Sequence, residues 1–393
     1  MPSEEALGAA VERVTPQQAV TIAAAIACIT VVGVGLSLSS PLIALMLARQ
    51  GVSATLIGIN TSVASIATLA IGSFVPGLAR VLGLRNVLML ALAVGGGSLA
   101  LFPIFPSLAS WFALRFVYGA AIGTLFVLSE YWINAVAPPR RRGFILGIYA
   151  TALSLGFAAG PALLAAAGGA GDGLFFIGAI FFLCAAVPIV IAGGSAPPIV
   201  AHTGKGAWAF ILLAPVATMA GFVYGAVEQG SFAFLPLYGG KLGLDATQSA
   251  LLLAVFGLGN VVSQIPLGLL ADRMDRRALL LICSAATVAG ALTIPLIAAS
   301  RPLLILVVFV TGGMVGALYT VGLSHLGARY SGSDLASANA AFVMLYSLGM
   351  LAGAPVIGMA FDAIDPHGFA YAVGAMCSLY CLLIAWRMRR RAG

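Results

Sequence analysis

Apolar stretches of about 20 or more residues recur along the whole chain, separated by short segments rich in proline, glycine and charged residues. A helix of about 20 apolar residues crosses the ~30 Å hydrocarbon core of a bilayer. The pattern therefore predicts an all-α membrane protein with twelve transmembrane helices. The predicted spans are 18–48, 53–79, 86–106, 108–137, 143–167, 173–193, 207–238, 246–271, 278–299, 302–328, 335–361 and 367–387.

The composition argues against a soluble protein. Apolar residues make up 61% of the 393 residues, whereas charged residues make up only 8%. A soluble chain carries about a quarter of charged residues. Because no globular fold of this length hides so much apolar surface, an arrangement of two or three soluble domains is excluded.

Basic residues fall almost entirely on one side of the predicted spans. Three of the 19 Lys and Arg residues lie on the other side (Arg49, Lys241 and Arg301), and Arg115 lies inside the fourth span. The positive-inside rule makes the basic side cytoplasmic and places both termini there. The net charge of +7 therefore reflects the orientation of the protein in the membrane. We expect a protein of the bacterial inner membrane whose partner is the lipid bilayer, with no nucleic-acid partner.

The N-terminus and the cysteines predict no processing, disulfide or metal site. Glu4, Glu5 and Glu12 precede the first span, so the basic region of a cleaved signal peptide is missing and the span serves as its own targeting signal. The five cysteines all lie in apolar runs without a Cys-x-x-Cys or Cys/His pattern. We expect no metal and no cofactor.

The two halves of the chain repeat each other. Gly119 and Gly123 match Gly312 and Gly316 at an offset of 193 residues, and two further glycine pairs, Gly156 with Gly160 and Gly349 with Gly353, match at the same offset. Such a repeat is typical of transporters built from two six-helix halves. The predicted segments are a cytoplasmic N-terminal segment 1–17, a first half 18–193, a linker 194–206, a second half 207–387 and a basic tail 388–393.

One connector carries a motif of known type. The segment from Gly268 to Arg277, with Asp272, Arg273, Asp275 and Arg276 between them, resembles the G-x-x-x-D-R-x-G-R-[RK] loop of the major facilitator superfamily, with Asp275 in place of the second glycine. The corresponding first-half loop carries Arg80 where the family has aspartate. The resemblance implies two pseudo-symmetric six-helix halves and transport by alternating access.

Two further motifs carry the same resemblance across the chain. Arg115 and Tyr118 with the following glycines resemble the family's R-x-x-Q-G motif, with tyrosine in place of glutamine. The Gly-rich fifth span resembles the G-x8-G-x3-G-P motif of the family's antiporters. The stretch 129–134 is similar to the poorly characterised YcaD-like and sugar-transporter-like bacterial branches. The glycines of this helix-packing motif and its repeat are Gly147, Gly156, Gly160, Gly349 and Gly353, and Pro161 follows the first three.

The charged loops predict a cytoplasmic gate. A carboxylate can meet the positive N-terminus of a neighbouring helix, and arginines can pair with acidic helix ends. We expect Asp272 to meet the start of the fifth helix, and Glu130 to pair with Arg80 or Arg85 where the first-half loop lost its aspartate. The predicted gate residues are Asp272, Arg273, Arg276, Arg277, Arg80, Arg85 and Glu130. The alternative is a loop that serves topology alone.

Glu228 is the candidate proton-coupling residue, because it is the only carboxylate placed deep in a span. Ionisable side chains are costly in a membrane, and a buried carboxyl group binds a proton more readily than one in water. The alternative is a carboxyl group hydrogen-bonded for helix packing. The predicted substrate cavity comprises Arg115, Tyr118, Tyr224, Gln229, Asn260, Gln264 and Tyr346.

Together these features predict a secondary transporter rather than an enzyme. The sequence has no P-loop, so energy should come from an ion gradient, with H⁺ the best candidate. The fifth-span motif favours export of a small apolar or amphipathic compound by a monomer. The alternatives are a proton-coupled importer of a neutral metabolite and, more remotely, a membrane enzyme that acts on lipid.

Overall fold

In a computed structural model, the chain is described over residues 15–72, 74–138, 142–192 and 208–392. These ranges form helices and contain no strand, which confirms the all-α fold class. The helices are α1 Pro16–Arg49, α2 Ala54–Gly72, α3 Val75–Leu82, α4 Leu84–Leu101, α5 Leu108–Val136, α6 Arg142–Ala166, α7 Asp172–Ala192, α8 Trp208–Leu213, α9 Pro215–Lys241, α10 Ala246–Arg273, α11 Arg276–Ile297, α12 Arg301–Gly327, α13 Gly332–Ala363 and α14 Gly368–Ala392.

Within the described ranges, 11 helices are long and apolar enough to cross a membrane. Helix α9 is not among these 11, but it has the length of a twelfth membrane helix. It has 27 residues, or about 40 Å at 1.5 Å per residue, but Glu228 and Gln229 lower its apolar character. The short helices α3 and α8 complete the set. Eleven of the twelve predicted membrane helices are therefore confirmed, and α9 has the length of the twelfth.

Two predicted spans are wrong as continuous helices, and a proline lies at each break. The span 53–79 ends as α2 at Gly72 and resumes as α3, which has Pro76 in its first turn. The span 207–238 is divided into α8 and α9, and Pro215 opens α9. Proline has no N–H for a helical hydrogen bond, so it fits the first turn and interrupts a longer helix.

Large apolar side chains cover the outer surface of the helices. Leu183, Leu296 and Leu379 are 66%, 84% and 67% exposed. Water would penalise such a surface, whereas lipid tails accommodate it. This exposure agrees with an integral membrane protein.

The described residues form two compact units. The first unit contains 15–39, 66–160 and 172–192, and the second contains 40–65, 161–171 and 208–392. In the first unit, α4 packs against α5 and α7. Its core includes Phe102, stacked on Phe175 at 5.4 Å between ring centroids, and Trp111, whose Nε1 donates to the Phe102 carbonyl.

The second unit is built on α9 packed against α13, α10 against α12, and α11 against α12 and α14. The second unit also contains two stretches of the predicted first half, 40–65 and 161–171. The Asp362 carboxylate accepts hydrogen bonds from the backbone N–H groups of Ala54 and Thr55 at 2.9 and 2.8 Å. Arg49 Nη1 donates to the Ala170 carbonyl at 2.6 Å. The compact units therefore do not follow the sequence repeat, and the halves 18–193 and 207–387 remain a prediction.

Three predicted segments, 1–17, 194–206 and 388–393, contain residues that the structure does not describe. The linker 194–206 and residues 1–14 of the N-terminal segment are outside the described residues. The segment 388–393 is different, because α14 continues to Ala392 and the basic residues predicted as a tail extend that helix.

Candidate functional site

Close packing of α9 and α13 positions the candidate site in the second unit. A methyl group at Gly349 would collide with the Phe222 carbonyl on α9, and one at Gly225 would lie 3.0 Å from the Tyr346 ring. Only glycine lets the two backbones approach this closely. The approach brings Tyr346 of α13 beside Glu228 of α9.

Both carboxylate oxygens of Glu228 are hydrogen-bonded. The Tyr224 hydroxyl donates to Oε1 at 2.5 Å, and the Tyr346 hydroxyl donates to Oε2 at 2.6 Å. Tyr224 precedes Glu228 by one helical turn, so the two side chains share a face of α9. Tyr346 reaches Glu228 from the facing helix.

Helix α10 extends this chain of polar groups. Asn260 Nδ2 donates to the Tyr224 hydroxyl at 3.1 Å, and Gln264 Nε2 donates to Asn260 Oδ1 at 3.1 Å. Gly316 of α12 leaves space for Asn260, since a methyl group there would collide with Asn260 Oδ1. The resulting polar network links exposed Gln264, half-buried Asn260, buried Tyr224, half-buried Glu228 and half-buried Tyr346.

An aromatic cluster surrounds the network. Tyr319 of α12 lies 5.2 Å from Tyr224 and 5.8 Å from Tyr346 between ring centroids, and it also contacts Phe342 at 5.2 Å. The Tyr224 and Tyr346 rings stack at 5.7 Å. Sequence reasoning missed Tyr319. The sequence contains one signal for Tyr319, which ends the segment 312–319 that repeats 119–126.

The network contains no cationic partner for Glu228. Among the residues that the structure describes, Glu228 forms no ion pair, and its contacts are the two tyrosine hydroxyls. A carboxylate accepts hydrogen bonds only, whereas the protonated acid also donates one, and a tyrosine hydroxyl can do either. The arrangement can therefore hold Glu228 in its ionised form and, after rotation of a hydroxyl, in its neutral form.

The other predicted cavity residues do not join this network. Gln229 points to Ser40, with Nε2 3.4 Å from the Ser40 hydroxyl. Arg115 and Tyr118 belong to the first unit and are 2% and 1% exposed. Arg115 Nη1 donates to the Ser39 carbonyl at 3.3 Å. An arginine within a span can also extend its side chain to the membrane surface, and the burial of Arg115 argues against that arrangement.

The second-half loop has its own internal structure. Asp272 lies 3.6 Å from Arg276 in an exposed pair one turn apart. Asp275 caps α11, since its Oδ1 accepts from the backbone N–H groups of Arg277 and Ala278 at 3.0 and 2.9 Å. This explains why aspartate can replace the second glycine of the motif. Arg276 Nε donates to the Ser324 hydroxyl, and Arg273 is exposed.

The first-half gate residues are not brought together in this structure. Arg85 Nη2 lies 3.4 Å from the Val190 carbonyl, Arg80 is exposed on α3, and Glu130 forms no ion pair with either arginine. Residues 139–141, just before the fifth predicted span, and the side chains of 142 and 143 are outside the described residues. The gate therefore remains a prediction.

Most of the predicted packing glycines lie at close helix contacts. A methyl group at Gly156 would meet the Thr30 carbonyl at 2.6 Å and Gly33 Cα at 3.0 Å, both on α1. Gly160 lies against Ser37 of α1, and Gly353 lies against Ala226 of α9. Gly147 faces open space, and Pro161 lies within α6. The repeated glycines thus pack α6 on α1 and α13 on α9. Helices α1 and α9 are the first long helices of the two predicted halves.

Comparison with known proteins agrees with this architecture. A family model described as Major Facilitator Superfamily matches residues 25–255 and 217–393. The uncharacterized MFS-type transporter YfkF of Bacillus subtilis (strain 168) is 27% identical over 332 residues, which cover 81% of this chain and 82% of that protein.

Solved transporter structures share the fold at low sequence identity. The nucleoside transporter NupG superimposes with a TM-score of 0.77 at 13% identity, covering 96% of this chain and 99% of that chain. A D-xylose-proton symporter superimposes with a TM-score of 0.69 at 16% identity, covering 93% and 96%. These similarities concern the fold.

Proposed function

Because the chain belongs to the Major Facilitator Superfamily, we propose that it is a proton-coupled secondary transporter that exports a small apolar or amphipathic compound. It would work by alternating access and take its energy from the proton gradient, without a bound cofactor. We further propose that it acts as a monomer, that it is not an enzyme, and that it lies in the bacterial inner membrane with both termini in the cytoplasm.

The observation that carries the proton-coupling proposal is the environment of Glu228. Its carboxyl group is held by the hydroxyls of Tyr224 and Tyr346 and has no cationic partner among the described residues. An arginine or lysine beside it would hold the carboxylate permanently ionised. Without one, the carboxyl group can bind and release a proton as its exposure to water changes.

The polar network orients the hydroxyl that faces this carboxyl group. Gln264 donates to Asn260 and Asn260 donates to the Tyr224 hydroxyl, so the Tyr224 proton is directed at Glu228. Side-chain amides donate hydrogen bonds but do not relay protons, so Glu228 would exchange its proton with water that reaches it when the carrier opens. In the proposed cycle, Glu228 takes up a proton in one orientation of the carrier and releases it in the other.

The aromatic cluster supports the proposed substrate class. Tyr224, Tyr319 and Tyr346 present ring surface next to a single carboxyl group. Aromatic surface binds apolar and amphipathic compounds, whereas a multiply charged compound would need several fixed counter-charges. Export is favoured by the resemblance of Gly147–Pro161 to the antiporter motif, and two of its glycines pack α6 on α1.

The second candidate is a proton-coupled importer of a neutral metabolite. It uses the same Glu228 chemistry, and the two candidates differ in the direction in which substrate moves relative to the proton. The D-xylose-proton symporter shares the fold, but at 16% identity it does not determine that direction.

Proteoliposomes with an imposed pH gradient test the proposal. The purified protein is reconstituted with a pH-sensitive dye inside the vesicles, and a panel of neutral, amphipathic and sugar-like compounds is added outside. An antiporter moves protons against the compound flux, and a symporter moves them with it. If no compound on a broad panel changes the internal pH beyond that of protein-free vesicles, proton coupling is contradicted.

A further inference from the structure

A basic cavity lies in the second unit and shares no lining residue with the polar network around Glu228. It has a volume of about 210 Å³. Its polar side chains are Arg277, His325, Arg329 and Arg387, and the backbone turn from Leu213 to Val216 completes the wall. Arg277 lies at the start of α11, His325 at the end of α12, Arg329 just after that helix, and Arg387 near the end of α14.

Within the part of the chain that the structure describes, no carboxylate lines the cavity. The nearby acidic side chains are engaged elsewhere, since Asp275 accepts from two α11 backbone N–H groups and Asp272 pairs with Arg276. Arg387 Nε is buried and has no hydrogen-bond partner among the described residues. A buried guanidinium donor without an acceptor is unfavourable, so the cavity has a positive charge that an anion would neutralise.

The start of α9 adds a second attraction for an anion. Ala214 precedes the helix and supplies no side-chain cap, and Pro215 occupies its first turn. The N–H groups of a first helical turn have no partner within the helix and carry the positive end of the helix dipole. Because Val216 also lines the cavity, this helix end and the arginine side chains share one space.

We propose that this cavity binds a phosphate-bearing anion. Guanidinium groups match the geometry of phosphate oxygens, and a helix N-terminus is a general site for phosphate. The source of the phosphate is either the headgroup of an anionic phospholipid or a soluble phosphate. By the positive-inside rule this end of the helices faces the cytoplasm, where anionic lipid headgroups meet basic pockets between helices.

Topology alone does not account for this cluster. The positive-inside rule requires only that arginines lie beside the membrane in water, as exposed Arg273 and Arg389 do. Arg277 and Arg387 are instead half-buried and line one cavity together with Arg329. Concentrating the arginine charges in this way is unfavourable unless an anion separates them.

Thermal unfolding of the full-length protein in a neutral detergent tests the proposal. Phosphatidylglycerol is titrated into the parent protein, with phosphatidylcholine as the lipid control and inorganic phosphate as the soluble probe. Arg277→Gln and Arg387→Gln remove charges that line the cavity. Arg389→Gln removes the same charge from the exposed end of the same helix as Arg387 and serves as the matched control.

We expect phosphatidylglycerol to raise the unfolding temperature more than phosphatidylcholine does. Each cavity variant should weaken apparent binding by about tenfold or more, the factor for one lost charge-assisted hydrogen bond, while Arg389→Gln changes it less than about twofold. Stabilisation by inorganic phosphate that competes with the lipid identifies a soluble ligand, and its absence identifies the headgroup.

Two results would overturn the proposal. One is that neither phosphatidylglycerol nor phosphate stabilises the parent protein. The other is that Arg389→Gln weakens binding as much as the cavity variants do, since that result indicates attraction to the whole basic surface. If a half-buried arginine proves necessary for folding, Arg329→Gln makes the same comparison at an exposed lining position.

Discussion

The hydroxyl of Tyr346 on α13 donates a hydrogen bond to Oε2 of Glu228 on α9, at 2.6 Å and across 118 residues of sequence. The bond joins two helices that glycines allow to pack closely. It links the position of α13 to the protonation of a carboxyl group, because the ionised and neutral forms of Glu228 need different hydroxyl orientations.

Tyr346→Phe should shift the pH dependence of transport while preserving the fold. The variant keeps the ring that stacks on Tyr224 and loses one donor to the carboxylate. Loss of a donor disfavours the ionised form, so the transport profile should move to higher pH. Proton flux into proteoliposomes at a series of pH values measures the shift. Tyr371→Phe, at an exposed tyrosine outside the network, should leave the profile unchanged.

Gly349→Ala should destabilise the protein, whereas Gly147→Ala should not. A methyl group at Gly349 meets the Phe222 carbonyl, whereas one at Gly147 faces open space. Overpacking of this kind costs about 1–3 kcal/mol, while alanine at an open helical position is neutral or slightly stabilising. Thermal unfolding of both variants in the same detergent compares them. Equal unfolding temperatures would show that α9 and α13 can separate without loss of stability.

Asp272→Asn and Asp275→Asn should behave differently if the second-half loop is a gate. Asparagine caps a helix about as well as aspartate, so Asp275→Asn should change little. The pair of Asp272 with Arg276 contributes little, but if Asp272 meets the start of the fifth predicted span in the outward-open state, Asp272→Asn should lose an attraction of about 1–3 kcal/mol there. The inward-open population should then rise by about 5- to 150-fold. The rates at which cysteines placed at Ala137 and Arg329 are alkylated report that population. Unchanged rates at both positions, in folded protein, would leave the loop with a purely topological role.

Asp362 should hold α2 against α13, and nearby Asp365 should not. The Asp362 carboxylate accepts from two backbone N–H groups at the start of α2 and from the Thr55 hydroxyl at 2.6 Å. Asp365 forms only an exposed pair with Lys241, and such pairs contribute little. Asp362→Ala should therefore speed alkylation of a cysteine placed at Ala54, whereas Asp365→Ala should leave it unchanged. Equal rates in the two variants would contradict this role for Asp362.

The sequence identifies Glu228 because a carboxylate is rare within an apolar span. Its contact with Tyr224 follows from helical spacing, since the two residues are four positions apart. Its contact with Tyr346 could not be predicted, because it depends on how closely α9 and α13 pack. Tyr319 gave little signal, since an aromatic residue in an apolar helix more often belongs to the core than to a site.

Length and hydrophobicity predicted eleven membrane helices that the structure confirms, but not where two of the predicted spans break. Pro76 and Pro215 lie inside apolar stretches that otherwise have the length of a span, so the apolar pattern outweighed the local effect of proline. The sequence could have predicted the helix cap formed by Asp275, because aspartate before a run of helix-forming residues favours a helix start. The basic cavity could not be predicted from the sequence, because it joins residues from five separate helices.

The most direct test of the account is transport by Glu228→Gln in proteoliposomes. Glutamine keeps the size of the side chain and cannot take up the coupling proton. With a compound that the parent protein moves in a pH gradient, the variant should lose gradient-driven accumulation or expulsion while it still exchanges labelled for unlabelled compound. A variant that moves the compound against its concentration gradient as well as the parent does would contradict the assignment of Glu228.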